Sequence, residues 1–137
     1  MNPQGKLKSI LYDSAREVHW GSDIESVHFS SHGLVVKIAR EIEATAQVRG
    51  LEVVFSDASA LRYLDELDLA RYWASDDFIR GCHVLEVVEG GWSDEENALQ
   101  GFSTNRREWL LVTGNGCISV FAKSAPKINE TCWQRET

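Results

Sequence analysis

A fifteen-residue stretch of alternating apolar and polar side chains dominates the first half of the chain. Between positions 34 and 48 every even-numbered residue is apolar except Arg40. Because successive side chains of a strand point to opposite faces of a sheet, this pattern predicts a strand with one buried and one solvated face. A strand of this length is unusual, so a bend or bulge is expected near Arg40. Arg40 interrupts the apolar face and needs either a buried partner or a ligand anion.

Short turns divide the neighbouring sequence into further strands. Arg49-Gly50 separates the long strand from the alternating segment 51–55 and predicts a tight hairpin. With a four-residue turn at 30–33, residues 24 to 56 form a predicted antiparallel meander. Near the end of the chain, Thr-Gly-Asn-Gly at 113–116 separates two apolar runs and predicts another hairpin.

The remaining segments complete the fold prediction. Apolar residues at 67, 69, 70, 73 and 74 share one face of a helix, with Asp65 as its possible N-cap. Strands are expected near 61–64 and 82–88. Since strands follow strands without regular helical crossovers, we expect an α+β fold: a curved antiparallel sheet of about six to eight strands with one or two short helices. It forms a single domain at 1–123, followed by a loose polar tail at 124–137.

The chain is acidic, and this narrows the classes of partner. Lys and Arg total 14 against 21 Asp and Glu, for a net charge of -7. A field of this sign repels phosphate backbones and anionic lipid headgroups, so neither nucleic acid nor membrane binding is expected. The negative charge either keeps the protein soluble or serves binding to a partner protein with a basic surface. No long apolar run or signal peptide is visible, and three widely spaced cysteines fit a reducing compartment, so we expect a cytoplasmic protein.

The stretch Gly-Gly-Trp-Ser-Asp-Glu-Glu at 90–96 is the most conspicuous candidate site. Ser93 and Glu96 have the spacing of a capping box, which predicts that a helix starts there and ends near Gly101. Adjacent carboxylates on one helical turn fan outward, and the spacing of a calcium loop is absent, so no metal site is assigned. Trp92, beside the acids, is either an exposed aromatic suited to an interface or a cover for the end of the sheet.

The other polar residues give no catalytic constellation. His28 and His32 lie across a predicted turn, and neighbours Cys82 and His83 point to opposite faces of a strand. No nucleophile elbow, phosphate loop or dinucleotide fingerprint is present, so no catalytic residue or cofactor is assigned. The basic pair Arg106-Arg107 is interpreted as two charges that prevent an edge strand from pairing with another chain.

Three segments resemble a group of small bacterial proteins of unassigned function. They are LRYLDELDLARYW, CHVLEVVEGGWSDEE and REWLLVTGNGCISVFAKSAPKI, and together they span the second half to two-thirds of the chain. These are structural motifs and imply no catalytic residues. In size, acidity and lack of a catalytic signature, the chain is also similar in type to immunity proteins of bacterial polymorphic toxin systems.

Two functional hypotheses follow, and self-association is a third possibility. The first is a non-enzymatic, immunity-like module that docks on a basic partner through Trp92, Asp94, Glu95 and Glu96, with Asp76 and Asp77 as a second patch. The alternative is a small-molecule-binding protein or enzyme with a pocket on the sheet face around Arg40. A homodimer through exposed sheet edges is also possible.

Overall fold

The computed structural model describes residues 7–12, 18, 21–64, 83–102, 104 and 106–135. These residues form nine strands and one helix, which confirms the predicted α+β class. In chain order the elements are β1 (Lys8–Leu11), β2 (Asp23–Ser30), β3 (Gly33–Ile42), β4 (Gln47–Phe55), β5 (Ala58–Leu64), β6 (Val84–Glu89), α1 (Trp92–Gln100), β7 (Glu108–Val112), β8 (Cys117–Ala122) and β9 (Lys127–Gln134).

The strands divide between two antiparallel sheets instead of one. The five-stranded sheet has the order β1-β6-β7-β8-β5, and the four-stranded sheet has the order β2-β3-β4-β9. Only residues 56 and 57 separate β4 from β5, although these strands belong to different sheets. Alternation in a sequence specifies which face of a strand is buried, and it does not specify which strands pair.

The main core lies between the two sheets. Leu34, Val36 and Ile38 of β3 pack into one cluster with Trp109 and Leu111 of β7. Alternate residues of the five-stranded sheet enter a second cluster on its opposite face, which contains Leu64, Leu85, Leu110, Val112 and Cys117. Both faces of β7 and β8 are therefore buried, and this explains why these strands read as continuous apolar runs.

The bulge predicted near Arg40 is confirmed, but the hairpin predicted at Arg49-Gly50 is wrong. The register of β3 against β4 shifts between Ala39 and Glu41, so Arg40 is the extra residue. The chain reverses at 43–46, where Ala46 has a φ of 63° and its N–H donates to the Glu43 carbonyl. Gly50 lies inside β4 instead.

Gly50 is required by close packing, not by a turn. A Cβ at this position would lie 2.0 Å from the Ile38 carbonyl oxygen and 2.9 Å from Cη2 of Trp133. Glycine is therefore needed at position 50 because a neighbouring backbone and an aromatic ring approach it closely, and not because the chain turns there.

The turn at Ser31-His32 and the hairpin at 113–116 agree with the prediction.

The loose polar tail predicted at 124–137 is wrong for most of its length. Residues Lys127–Gln134 form β9, which pairs with β4 from Val54 to Gln47. Arg135 then donates to the Glu25 carboxylate, joining the end of β9 to β2 across the sheet. The segment is polar because β9 is an edge strand whose side chains are mostly exposed or half-buried.

Several predicted features lie outside the described residues. These are the helix at 67–74 with its N-cap Asp65, the patch Asp76 and Asp77, and Cys82. In the part of the chain that the structure describes, no helix has the length and apolar character needed to cross a bilayer.

Candidate functional site

Helix α1 begins one residue before the predicted capping box, so that prediction is wrong. Its N-cap is Gly91, and no side chain of the N-cap residue caps the helix. The first N–H groups instead donate to one carboxylate from a distant strand: Trp92 N lies 3.0 Å from Oε2 of Glu108, and Ser93 N lies 2.8 Å from Oε1. Glu108 therefore supplies the cap that the sequence pattern assigned to Ser93.

Glu108 holds α1 on the outer face of the five-stranded sheet. Its side chain shares a face with the outer cluster because Glu108 and Leu110 alternate along β7, and only 2% of the residue is exposed. Burial raises the pKa of this carboxyl group, against the hydrogen bonds from Ser93 and Trp92 that lower it. A Cβ on Gly91 would lie 2.6 Å from Glu108 Oε2, so glycine is what allows the carboxylate to approach the helix.

Trp92 is a half-buried anchor and not an exposed aromatic. Its ring stacks on Phe121 of β8 with centroids 4.1 Å apart and an interplanar angle of 21°. The guanidinium carbon of Arg62 lies 5.1 Å from the Trp92 ring centroid. Its indole N–H donates to Glu96 at 3.0 Å. The tryptophan therefore joins the first turn of α1 to β5 and β8.

The three consecutive carboxylates turn to three different donors and do not converge. Asp94 accepts from the Gly90 N–H at 2.7 Å, Glu96 accepts from Trp92, and Glu95 pairs with Arg62 at 2.8 Å. No group of three or more metal-ligating side chains comes together in the described ranges. The first turn therefore combines structural contacts with a dense negative charge.

Two large apolar side chains are exposed at the C-terminal end of α1. None of its nine residues is buried, and Leu99 is 82% exposed. Phe102, just past the C-cap Gly101, is 62% exposed. Leu99 lies one turn beyond Glu95 and two turns beyond Trp92, so it is on the same side of the helix as these sheet-contacting residues, but at the end of α1, where it remains uncovered. The sequence pattern singled out neither Leu99 nor Phe102 as an exposed residue, because periodicity alone does not reveal which apolar residues remain uncovered.

The far end of α1 is fixed by Arg106, which corrects the edge-guard interpretation of Arg106-Arg107. Nη1 of Arg106 donates to Asn97 at 2.9 Å, and Nη2 donates to Gln100 at 3.3 Å. Arg107 pairs with Glu86 on β6 through two hydrogen bonds of 3.0 and 3.2 Å. Both arginines precede β7, which is the central strand of the five-stranded sheet and not an edge.

Arg40 finds its partner in the opposite sheet. Its Nε–H donates to Nε2 of His83 at 3.2 Å, and Nδ1 of His83 lies 2.7 Å from the Val112 carbonyl. Because a guanidinium can only donate, Nε2 accepts and the ring proton is on Nδ1. His83 is fully buried, and the half-buried Arg40 also borders a cavity of about 480 Å³.

No protein-family model, no curated protein and no solved structure matches this chain. The functional assignment therefore depends on the geometry described above. Two regions are candidates for function: the exposed C-terminal end of α1, and the cavity beside Arg40.

Proposed function

We propose that the protein is a non-enzymatic docking module that binds a basic partner protein through the exposed C-terminal end of α1 and the acids of its first turn. The observation that carries the proposal is the exposure of Leu99, near the end of α1, and of Phe102, just past it, beside a helix that is firmly attached to the sheet. Exposed large apolar groups bordered by polar residues are typical of protein–protein contacts.

The attachment of α1 favours tight docking. Glu108 fixes its first turn, Trp92 stacks on Phe121, and Arg106 fixes its last turn. A surface that is already ordered loses little conformational entropy when a partner binds. Leu99 and Phe102 would therefore act as anchors that enter an apolar recess of the partner.

The negative charge of the acids of α1 indicates which residues are expected around the apolar recess of the partner. Asp94 and Glu96 accept hydrogen bonds from the uncharged N–H groups of Gly90 and Trp92, and these bonds do not neutralise the two negative charges. Together with the net charge of -7, they favour a partner with Lys and Arg around its binding surface. Asp76 and Asp77 remain a second proposed patch.

The resemblance in type to immunity proteins suggests what such a partner is. A basic bacterial toxin, neutralised in the cytoplasm by a small acidic protein, has the required chemistry. We propose this biological role as the most specific form of the docking function.

Loss of the apolar anchors tests the proposal. We expect the wild-type protein, used as bait in an extract of its native host, to capture a basic protein. The double variant Leu99→Ser/Phe102→Ser should bind that protein at least about 30-fold more weakly, as removal of interface anchors does. Ile42→Ser, which changes an apolar residue that is also 53% exposed but lies on β3, is the matched control. Equal loss in both variants, or capture of acidic proteins only, would contradict the proposal.

The charges are tested through salt dependence. Asp94→Asn/Glu96→Gln should slow association with the captured partner and flatten its dependence on ionic strength, because rim charges act mainly on the association rate. Glu52→Gln on β4 is the control. If light scattering shows that the only complex formed is a homodimer, self-association through a sheet edge replaces this proposal.

A further inference from the structure

The cavity beside Arg40 has the position and size of a small-ligand site, remote from the proposed docking residues. Its volume of about 480 Å³ falls in the range typical of small-molecule pockets. It lies where β3, β4 and β9 run side by side at one end of the four-stranded sheet. Its lining includes Arg40, Glu41, Gln47, Arg49, Glu130 and Cys132.

The register explains why polar side chains occupy this face. Ile38 pairs with Leu51 in the main core, and after the bulge at Arg40 the next pair on the same face is Glu41 with Arg49. Across β4, Cys132 pairs with Arg49. The inner face of the sheet therefore continues past the apolar core as a polar strip.

The bulge also determines the orientation of Arg40. As the extra residue, Arg40 is released from the alternation and reaches His83 at the edge of the core. His83 is held in turn by the Val112 carbonyl, so the Arg40 guanidinium is oriented by a buried group. An oriented guanidinium at a cavity wall is suited to planar recognition of a carboxylate.

The cavity presents charges of both signs. Arg40 and Arg49 supply cations, and Glu41 and Glu130 supply anions. Arg49 pairs with Glu43 at 2.7 Å, but its side chain is largely exposed, and exposed pairs contribute little to stability. A ligand carboxylate could therefore replace Glu43 at small cost. A ligand that carries both an anionic and a cationic group can contact both kinds of side chain in this lining, whereas a simple ion can contact only one kind.

We propose that this cavity binds a small zwitterion, a free α-amino acid or a dipeptide, with its carboxylate toward Arg40 and Arg49 and its ammonium toward Glu41 and Glu130. The bound ligand would cover Cys132, whose free thiol is exposed at the cavity. Protection of this thiol provides a readout that is independent of the docking function.

Three related probes test the proposal: alanyl-alanine, N-acetyl-alanyl-alanine and alanyl-alanine amide. Alanyl-alanine should slow alkylation of Cys132, measured by peptide-resolved mass spectrometry, and should raise Tm. Removing either ligand charge should weaken binding at least tenfold. Arg49→Gln should weaken binding of the dipeptide and of its acetylated form. Glu130→Gln should weaken binding of the dipeptide and of its amide only.

The controls separate binding from general stability. Arg107→Gln removes an exposed ion pair outside the cavity and should leave Cys132 protection unchanged. If no probe protects Cys132 at millimolar concentration, if all three protect it equally, or if Arg49→Gln and Glu130→Gln change nothing, the assignment is overturned. Leu99→Ser/Phe102→Ser should retain dipeptide binding, so failure of either proposal can be told from failure of the other.

Discussion

Helix α1 and the Arg40 cavity each depend on one charged side chain set into an apolar strand. Glu108 is the first residue of β7, and Arg40 lies at the bulge of β3. Glu108 is buried, and its two carboxylate oxygens accept hydrogen bonds from the first N–H groups of α1, so the protein itself occupies the space around the carboxylate. Arg40 reaches His83 but also borders open space. The surface near Glu108 is therefore available for contact at the exposed end of α1, whereas Arg40 borders a concave cavity.

The largest effect is expected in the Arg40 region, from Gly50→Ala. The new Cβ would lie 2.0 Å from a backbone oxygen of β3, which cannot move without breaking the β3–β4 ladder. We expect a loss of more than about 3 kcal/mol in the free energy of unfolding, measured with urea. Glu52→Ala, two residues along the same strand, should cost less than about 1 kcal/mol. A tolerated Gly50→Ala would show that the sheet end is not closely packed.

Glu108→Ala is the corresponding test at α1. It removes the acceptor for two helix N–H groups and leaves space beneath them, so we expect a loss of about 2–3 kcal/mol. Amide hydrogen exchange should accelerate first at Trp92 and Ser93. Glu96→Ala, which removes only the contact with the Trp92 indole, should cost less than about 1 kcal/mol. Equal costs would mean that Glu108 does not hold the helix.

Gly91→Ala tests the contact between Glu108 and α1 from the helix side. The added methyl group would meet the Glu108 carboxylate and Val87, which are side-chain atoms with some freedom to shift. We therefore expect a smaller loss than for Gly50→Ala, about 1–2 kcal/mol. Gly21→Ala is the matched control, since no atom lies within 4 Å of its new Cβ. If Gly21→Ala lost as much stability, the effect would arise from chain entropy or backbone preference and not from contact with Glu108.

The pH dependence of stability gives the smallest effect and should have opposite signs for two carboxylates. Burial raises the pKa of Glu108 in the folded state, so its stabilising contribution is complete below the pKa of the unfolded chain and declines as pH rises through the folded value. The hydrogen bond from Arg135 lowers the pKa of Glu25, so its contribution is present above the unfolded pKa and is lost as pH falls.

Urea unfolding between pH 3 and pH 7 measures both contributions. Relative to Glu108→Gln, the wild type should lose stability as pH rises, whereas relative to Glu25→Gln it should gain stability. If the two stability differences changed with pH in the same direction, the assigned environments of Glu108 and Glu25 would be contradicted.

The sequence predicted what depends on local pattern. The meander, the bulge at Arg40 and the hairpin at 113–116 follow from alternation and turn chemistry, and the structure has all three. The hairpin at Arg49-Gly50 failed because a glycine that admits a neighbouring backbone has the same sequence signature as a turn glycine. β9 was missed because an edge strand with exposed side chains resembles a polar tail.

The candidate site could be predicted only in part. Trp92 and the three acids were recognised from their position at the start of a helix, and that helix is present. Glu108 was not recognised, since its partners lie 15 and 16 residues away in sequence and no local pattern connects them. The exposure of Leu99 and Phe102 depends on how the whole sheet is covered, and this cannot be derived from periodicity.

The most direct test of docking places a photo-crosslinking benzoylphenylalanine at position 99, and separately at position 42, in the native host. Position 99 should crosslink to a basic protein, position 42 should not, and Asp94→Asn/Glu96→Gln should reduce the crosslink at physiological salt. The same products from both positions, or only acidic products from position 99, would contradict docking through the exposed end of α1.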